Sequence, residues 1–352
     1  MFRSAVLMLL SALPSLALAQ QRPAVDERGA ISGPAQTAPL SEFTSPEFQK
    51  QFVESLRAPL PPGAADGIEA RRAFSDANAK QSLEGWLKIY PSRIENTVID
   101  GVRTDVVTPA SGIDPKNAKR VLINAHMGGF TTGGKYGGQI EAVPLAGHGK
   151  IKIIAVDYRM APEHKFPAAS EDMEKVYRDA LKTTKPENIG LYGCSAGGTL
   201  TGQSIAWFKA KGLPLPGAIA IMCSGLMKSF WFGGDSGTVN ALFNAAPQRP
   251  APTGAPTPYL DGINLDDPLV TPGLYPDTLK IFPPTLMVTG TRDVAMSNVL
   301  ATHNALKKAG VRAELLVQDG LGHGHFFTFP GTPEAALAYD VIWAFFDRNL
   351  AR

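Results

Sequence analysis

Ile189-Gly190-Leu191-Tyr192-Gly193-Cys194-Ser195-Ala196-Gly197-Gly198 joins a short apolar run with strand character to the start of a helical pattern that continues to about residue 211. A serine between two glycines at such a junction sits on a sharp strand-to-helix turn, which lifts its hydroxyl clear of the sheet. Gly193 and Gly197 carry no Cβ where strand and helix crowd together, and Gly198 adds further room. The helix start also offers free N–H groups where negative charge can form. Without its flanks the five-residue pattern would read as an ordinary glycine turn. The strand before it and the helix after it give it meaning.

Working outward, apolar strands and longer helical patterns alternate. Residues 94–99 and 102–107 flank Asp100-Gly101, a strong two-residue hairpin signal. Strands are predicted at 121–124, 151–156, 189–192, 218–222, 285–289 and 312–317, and helices at 168–183, 197–211, 298–309 and 333–350. This order predicts an α/β core over residues 91–352, with a mostly parallel sheet covered on both faces. Ahead of it, residues 41–90 read as two helices. Phe43, Phe48, Phe52 and Leu56 recur every four or five residues, Pro59, Pro61 and Pro62 stop that pattern, and a second helix is predicted at 68–89. Residues 226–282 break the alternation with a run such as Pro247-Gln248-Arg249-Pro250-Ala251-Pro252, which reads as a lid or binding insert.

The first 19 residues stand apart from this pattern. Arg3, an apolar run over 5–13 and Ala17-Leu18-Ala19 have the order of a cleavable signal peptide cut after Ala19, rather than of a membrane anchor or a buried helix. Residues 20–40, rich in Pro, Ala, Gln and Ser, read as a flexible leader. The expected location is periplasmic or secreted. No other segment approaches the ~18 consecutive apolar residues of a membrane span. A net charge of +2 gives no electrostatic case for nucleic-acid binding. Export would permit a disulfide between Cys194 and Cys223, yet both fall at the ends of predicted buried strands, and two free thiols are expected. No Cys/His spacing resembles a zinc site.

A serine hydroxyl needs a base. After the strand at 285–289, Thr289-Gly290-Thr291-Arg292-Asp293 puts a carboxylate in a loop at a strand's carboxyl end, where such sheets keep their sites. A helix cap or a surface acid is the plainer alternative for Asp293. Farther on, Asp319-Gly320-Leu321-Gly322-His323-Gly324-His325-Phe326 supplies an imidazole, and the order serine, acid, histidine suits this fold. His323 is the expected base, with His325 its rival. The spacing of the two histidines also raises a metal reading, which lacks a partner ligand set. At the end of strand 121–124, His126-Met127-Gly128-Gly129-Phe130 lets Gly128 and Gly129 turn backbone amides toward a developing oxyanion, with Ala196 as third donor and His126 as a brace. A tight glycine turn is the alternative.

Together these residues resemble the bacterial hormone-sensitive-lipase-like esterases, a family of α/β-hydrolases. His126-Met127-Gly128-Gly129 is similar to the family's H-G-G-G loop. Asp157-Tyr158-Arg159-Met160-Ala161-Pro162-Glu163-His164-Lys165-Phe166-Pro167-Ala168-Ala169 is similar to its D-Y-R-L-A-P-E-x-x-F-P-A-A segment, and Gly193-Cys194-Ser195-Ala196-Gly197-Gly198 to its G-D-S-A-G-G elbow. The likeness runs in order over roughly residues 94–350. It implies an α/β-hydrolase core with a helical cap built from the N-terminus and the insertion, and Ser195, Asp293 and His323 as catalytic residues. It also implies Gly128, Gly129 and Ala196 as oxyanion donors, with Asp157 and Glu163 supporting the site through buried charge and turn contacts. Met127 departs from a glycine, Cys194 from the usual acidic residue, and Val294-Ala295-Met296 from the family's D-P-L-R continuation.

The implied activity is hydrolysis of short-to-medium acyl or aryl esters through an acyl-enzyme. An amidase or formamidase with the same triad and a non-catalytic ligand-binding protein are the alternatives. The expected partner is a small-molecule ester, with no cofactor, no metal, no nucleic acid and no stable membrane insertion, and a homodimer left open. Phe43, Phe48, Trp86, Phe230, Trp231 and Phe232 either line an apolar pocket or pack the cap onto the core.

Overall fold

Four strands of the sheet carry no polar-outward alternation, because both of their faces are covered: β5 (Val121–Ala125), β7 (Ile189–Cys194), β8 (Ala218–Met222) and β9 (Thr285–Gly290) are buried along their whole length. The computed structural model describes residues 24–25, 31–32, 39–58, 67–230, 233–237 and 257–351. The chain divides into two units, residues 1–39 and 40–352. In the first, within the segment read as a leader, β1 (Ala24–Val25) pairs antiparallel with β2 (Ile31–Ser32). The expected signal peptide lies outside the described residues.

The second unit holds an eight-stranded sheet in the order β10-β9-β8-β7-β5-β6-β4-β3, completed by β3 (Ser92–Ile99), β4 (Val102–Pro109), β6 (Lys152–Asp157) and β10 (Ala313–Gln318). β3 and β4 are antiparallel to their neighbours, and the other pairings are parallel. The β3–β4 hairpin closes through Asp100 (φ 46°) and Gly101 (φ 79°), the double left-handed turn that matches strand twist. β5 lies between β6 and β7, so sheet growth reverses direction there and a crevice opens beyond its carboxyl end. Val121, Ile123 and Ala125 of β5 enter one apolar layer and Leu122 the other, so the core sits on both sides of the sheet.

Helices α4 (Ala168–Leu181), α5 (Ala196–Ala210), α7 (Met296–Lys308) and α8 (Pro333–Asn349) cover the sheet within two residues of their predicted bounds. Among the described residues, one helix longer than a single turn has no counterpart in the sequence reading. α3 (Gly137–Gly149) is buried almost all round, so it shows no apolar stripe, and its glycines and Pro144 argue locally against a helix. Its packing, not its pattern, makes it helical. Between β8 and β9, the described part of the insert is irregular apart from short turns and α6 (Pro276–Leu279); residues 238–256, and Trp231 and Phe232 with them, lie outside the described residues.

At the N-terminal side, α1 (Pro46–Arg57) starts at Ser45, whose Oγ accepts the Phe48 N–H at 3.1 Å. Phe48 and Phe52 are buried, but Phe43 precedes the helix and is 81% exposed, and Leu56 is also exposed. The spacing of four or five therefore holds for only two of its four members, and Phe43 neither lines a pocket nor packs a core. α2 (Gly67–Ile89) buries Leu83 and Trp86. The Trp86 indole N–H donates to the Phe327 carbonyl at 2.7 Å, and the ring meets Tyr339 edge-on at 5.3 Å. Trp86→Ala is expected to cost about 3–5 kcal/mol, since it removes a large buried ring and strands a buried carbonyl; denaturant unfolding checks this.

Candidate active site

The turn after β7 is as tight as its glycines demand. Ser195 sits at φ 56°, ψ −121°, a conformation that few L-residues adopt. It is held there because its N–H donates to the Met222 carbonyl at 2.8 Å and its carbonyl accepts the Thr199 N–H at 3.0 Å. A Cβ on Gly197 would lie 1.8 Å from the Ala125 carbonyl oxygen, and one on Gly193 2.3 Å from the same atom. The ends of β5 and β7 and the start of α5 therefore meet at a point with room for backbone only.

Three loops converge above this point. The Ser195 hydroxyl lies 2.8 Å from His323 Nε2, and His323 Nδ1 lies 2.8 Å from Asp293 Oδ1. With Nδ1–H donating to the carboxylate, Nε2 is left to accept the serine proton. Asp293 is fully buried. Its Oδ1 also accepts the Ala295 N–H at 2.8 Å, and its Oδ2 accepts the Thr289 hydroxyl at 2.9 Å. The bond to Ala295 closes a turn just ahead of α7, whose N-cap, Ala295, has no side-chain cap, so Asp293 faces the histidine and is not a helix cap. Burial favours the protonated acid, but His323 and the hydrogen bonds outweigh it, so the carboxyl is held below its ordinary value. Burial likewise disfavours imidazolium, and the Asp293 charge with its hydrogen bond outweighs that, so the His323 pKa is raised. A neutral imidazole with strengthened basicity is suited to general-base work.

His325 is turned away from the serine. Its Nδ1 accepts the Gly322 N–H at 2.9 Å, and its ring packs among Phe48, Phe52 and Phe329. Burial lowers its pKa to about 4. The metal reading of the two histidines finds no support in this placement. Cys223, Asp293 and His323 do bring ligand atoms within 4.8 Å of one another, but both His323 nitrogens already serve the serine and the carboxylate. Cys194 and Cys223 are buried and unbridged, and Cys223 Sγ accepts the Gly324 N–H at 3.3 Å.

The loop after β5 uses all of its carbonyls but not all of its amides. The His126 carbonyl accepts the Tyr158 hydroxyl at 2.7 Å, and the Met127 carbonyl lies 2.6 Å from His126 Nδ1. The Gly128 carbonyl accepts the N–H groups of Thr131 and Thr132, and the Gly129 carbonyl accepts the Thr257 hydroxyl at 2.8 Å. Gly128 (φ 120°) and Gly129 (φ 63°) occupy conformations that favour glycine. Among the described residues, the N–H groups of Gly128, Gly129 and Ala196 have no acceptor. The His126 ring stacks on Tyr158 at 4.1 Å and 6°, and burial lowers its pKa to about 4.

The two supporting carboxylates differ. Asp157 is mostly buried and paired with Arg103, with burial pushing its pKa up to about 6. Glu163 is not a buried charge, since its side chain is 48% exposed. It holds Arg72 of α2, whose Nε donates to the Thr131 carbonyl at 2.9 Å, so its link to the loop runs through that arginine. Four residues in or beside the site went unread in the sequence: Glu141, Tyr158 as a stacking partner, Thr257 and Thr289. Only Thr289, four residues before Asp293 at the end of a predicted strand, had a local signal.

Set against known proteins, residues 122–327 match the family described as alpha/beta hydrolase fold. The chain is 27% identical to an acetyl-hydrolase of Streptomyces hygroscopicus over 282 residues, 79% of this chain and 89% of that one. It is 26% identical to an esterase of Acinetobacter venetianus over 224 residues, 63% and 73% of the two chains. Among solved structures it is similar to esterase E25, with a TM-score of 0.78, 28% identity and coverage of 90% and 98%.

The triad geometry gives a direct electrostatic expectation. Imidazole NMR titration is expected to place the His323 pKa above the ordinary value of about 6.5, and D293N to move it down, because the carboxylate charge that favours imidazolium is gone. A higher pKa in D293N would contradict the assignment.

Proposed function

The chain belongs to the α/β-hydrolase fold family, and from that premise we propose that it is a serine carboxylic ester hydrolase of the hormone-sensitive-lipase-like kind, acting on short-to-medium acyl or aryl esters. The observation that carries the reading is the continuous chain Ser195 Oγ, His323 Nε2, His323 Nδ1, Asp293 Oδ1, beside three amides that have no acceptor among the described residues. The names of the similar proteins, acetyl-hydrolase, esterase and ethyl acetate hydrolase of Pseudomonas putida, support an ester bond and a small acyl group.

In the proposed cycle, Ser195 Oγ attacks the ester carbonyl while its proton passes to His323 Nε2. Asp293 stabilises the imidazolium through Nδ1–H. The carbonyl oxygen, now an anion, accepts from the amides of Gly128, Gly129 and Ala196, which are oriented before charge develops. Collapse breaks the bond to the leaving oxygen, which takes the proton from Nε2 and departs as the alcohol. Water then loses a proton to His323, attacks the acyl carbon and releases the carboxylic acid, regenerating the serine. Water is the only co-reactant. An amidase would use the same atoms but must protonate a far more basic leaving group. A purely ligand-binding role has nothing to recommend it beside an intact triad.

On p-nitrophenyl esters of rising chain length, activity is expected to peak at short to medium acyl groups. S195A is expected to lower kcat about 10⁴-fold or more. Faster turnover of the matched anilide than of the ester would favour the amidase instead. We further propose that the chain is exported, on the charge, apolar and small-residue order of residues 1–19. Protein recovered from the periplasm or medium is then expected to begin at Gln20, and a cytosolic chain starting at Met1 would refute export.

A further inference from the structure

Glu141 lies on α3, under the site and out of reach of solvent. Its Oε1 accepts the Met127 N–H at 2.8 Å, and its Oε2 accepts the Cys194 N–H at 3.2 Å and the Asn124 side-chain amide at 3.0 Å. The Tyr192 hydroxyl donates to its carbonyl at 3.2 Å, fixing α3 against β7. Met127 immediately precedes Gly128, and Cys194 stands two residues before Ala196. One carboxyl thus ties together the two strand ends from which the oxyanion donors come.

The sequence departs from the family pattern at this place. Cys194 stands where an acidic residue is usual, so the elbow brings no carboxyl of its own, and a thiol is a weak acceptor. Here the carboxyl arrives from α3 and meets the backbone of that same residue. Burial pushes Glu141 up to about 8 against the pull of three N–H donors.

We propose that Glu141 is a positioning residue of the oxyanion hole, holding the Gly128 and Gly129 amides at a fixed spacing from the Ala196 amide. The proposal rests on the ester-hydrolase reading above. Glu141 touches no substrate in this role. Its effect is on how well three amides converge on an oxygen that exists only after attack, so it belongs to kcat rather than KM.

The test compares the full-length chain with E141Q, E141L and E141L/C194D, using p-nitrophenyl acetate and a trifluoromethyl ketone that forms a tetrahedral adduct with serine. E141Q keeps the shape but only one acceptor oxygen. It is expected to leave KM within about twofold, to lower kcat about 10-fold and to weaken the ketone by a similar factor, below the loss seen when a whole oxyanion donor is removed. E141L is expected to lose more, and C194D in that background to recover part of the loss by restoring a carboxyl at the elbow. A folded E141Q with wild-type kcat and ketone affinity, whatever its melting temperature, would overturn the proposal, and E141Q decides the matter if E141L does not fold. Wild-type protein that hydrolyses no ester would instead sink the functional reading together with this one.

Discussion

The site depends on one close approach: the carbonyl oxygen of Ala125, at the end of β5, lies against the α-carbon of Gly197, where any side chain would collide. That contact places the last residue of one central strand beside the first turn of the helix leaving the next. The loop after β5 and the serine after β7 are then neighbours by construction. Strain at Ser195 is the local cost of the approach. It is held in place by the Met222 carbonyl, the Thr199 amide and wholly buried strands on either side.

Preorganisation follows from where the backbone hydrogen bonds go. Every carbonyl from His126 to Gly129 has a partner: Tyr158, His126's own ring, Thr131 with Thr132, and Thr257. The loop cannot rotate a carbonyl toward the serine without breaking one of these, and among the described residues the Gly128 and Gly129 N–H groups are left without an acceptor, as the proposed oxyanion role requires. The histidine loop is steadied from the other side. Trp86 holds the Phe327 carbonyl, Ser82 holds that of Thr328, and Gln51 holds that of Pro330. The Arg292 guanidinium lies over the Phe52 ring at 5.6 Å, bringing α1 against the residue beside Asp293. The N-terminal helices therefore act on the site through the backbone that carries His323.

Much of this was legible because it is local. The hairpin at Asp100-Gly101, the glycines around Ser195 and the apolar runs of the central strands are short-range requirements, and each announces itself within a few residues. The order serine, acid, histidine made Asp293 and His323 findable once the elbow was read. What stayed hidden is long-range. α3 has no polar face because it is buried almost all round, so periodicity gave no sign of it. Glu141 is one acid in that unmarked helix, and its partners lie 14 and 53 residues away. Thr257 reaches a carbonyl 128 residues upstream. Phe43 misled for the opposite reason: its spacing continued a stripe, but the helix begins only after it.

The central claim is that the Ser195 hydroxyl is the nucleophile and is activated by its neighbours. It is tested most directly by exposing the folded protein to diethyl p-nitrophenyl phosphate and mapping the product by mass spectrometry. The account requires one diethylphosphoryl group per chain, carried on Ser195, with release of one equivalent of nitrophenol. An unmodified Ser195 in protein that still turns over esters, or a stoichiometric adduct on another residue, would contradict it.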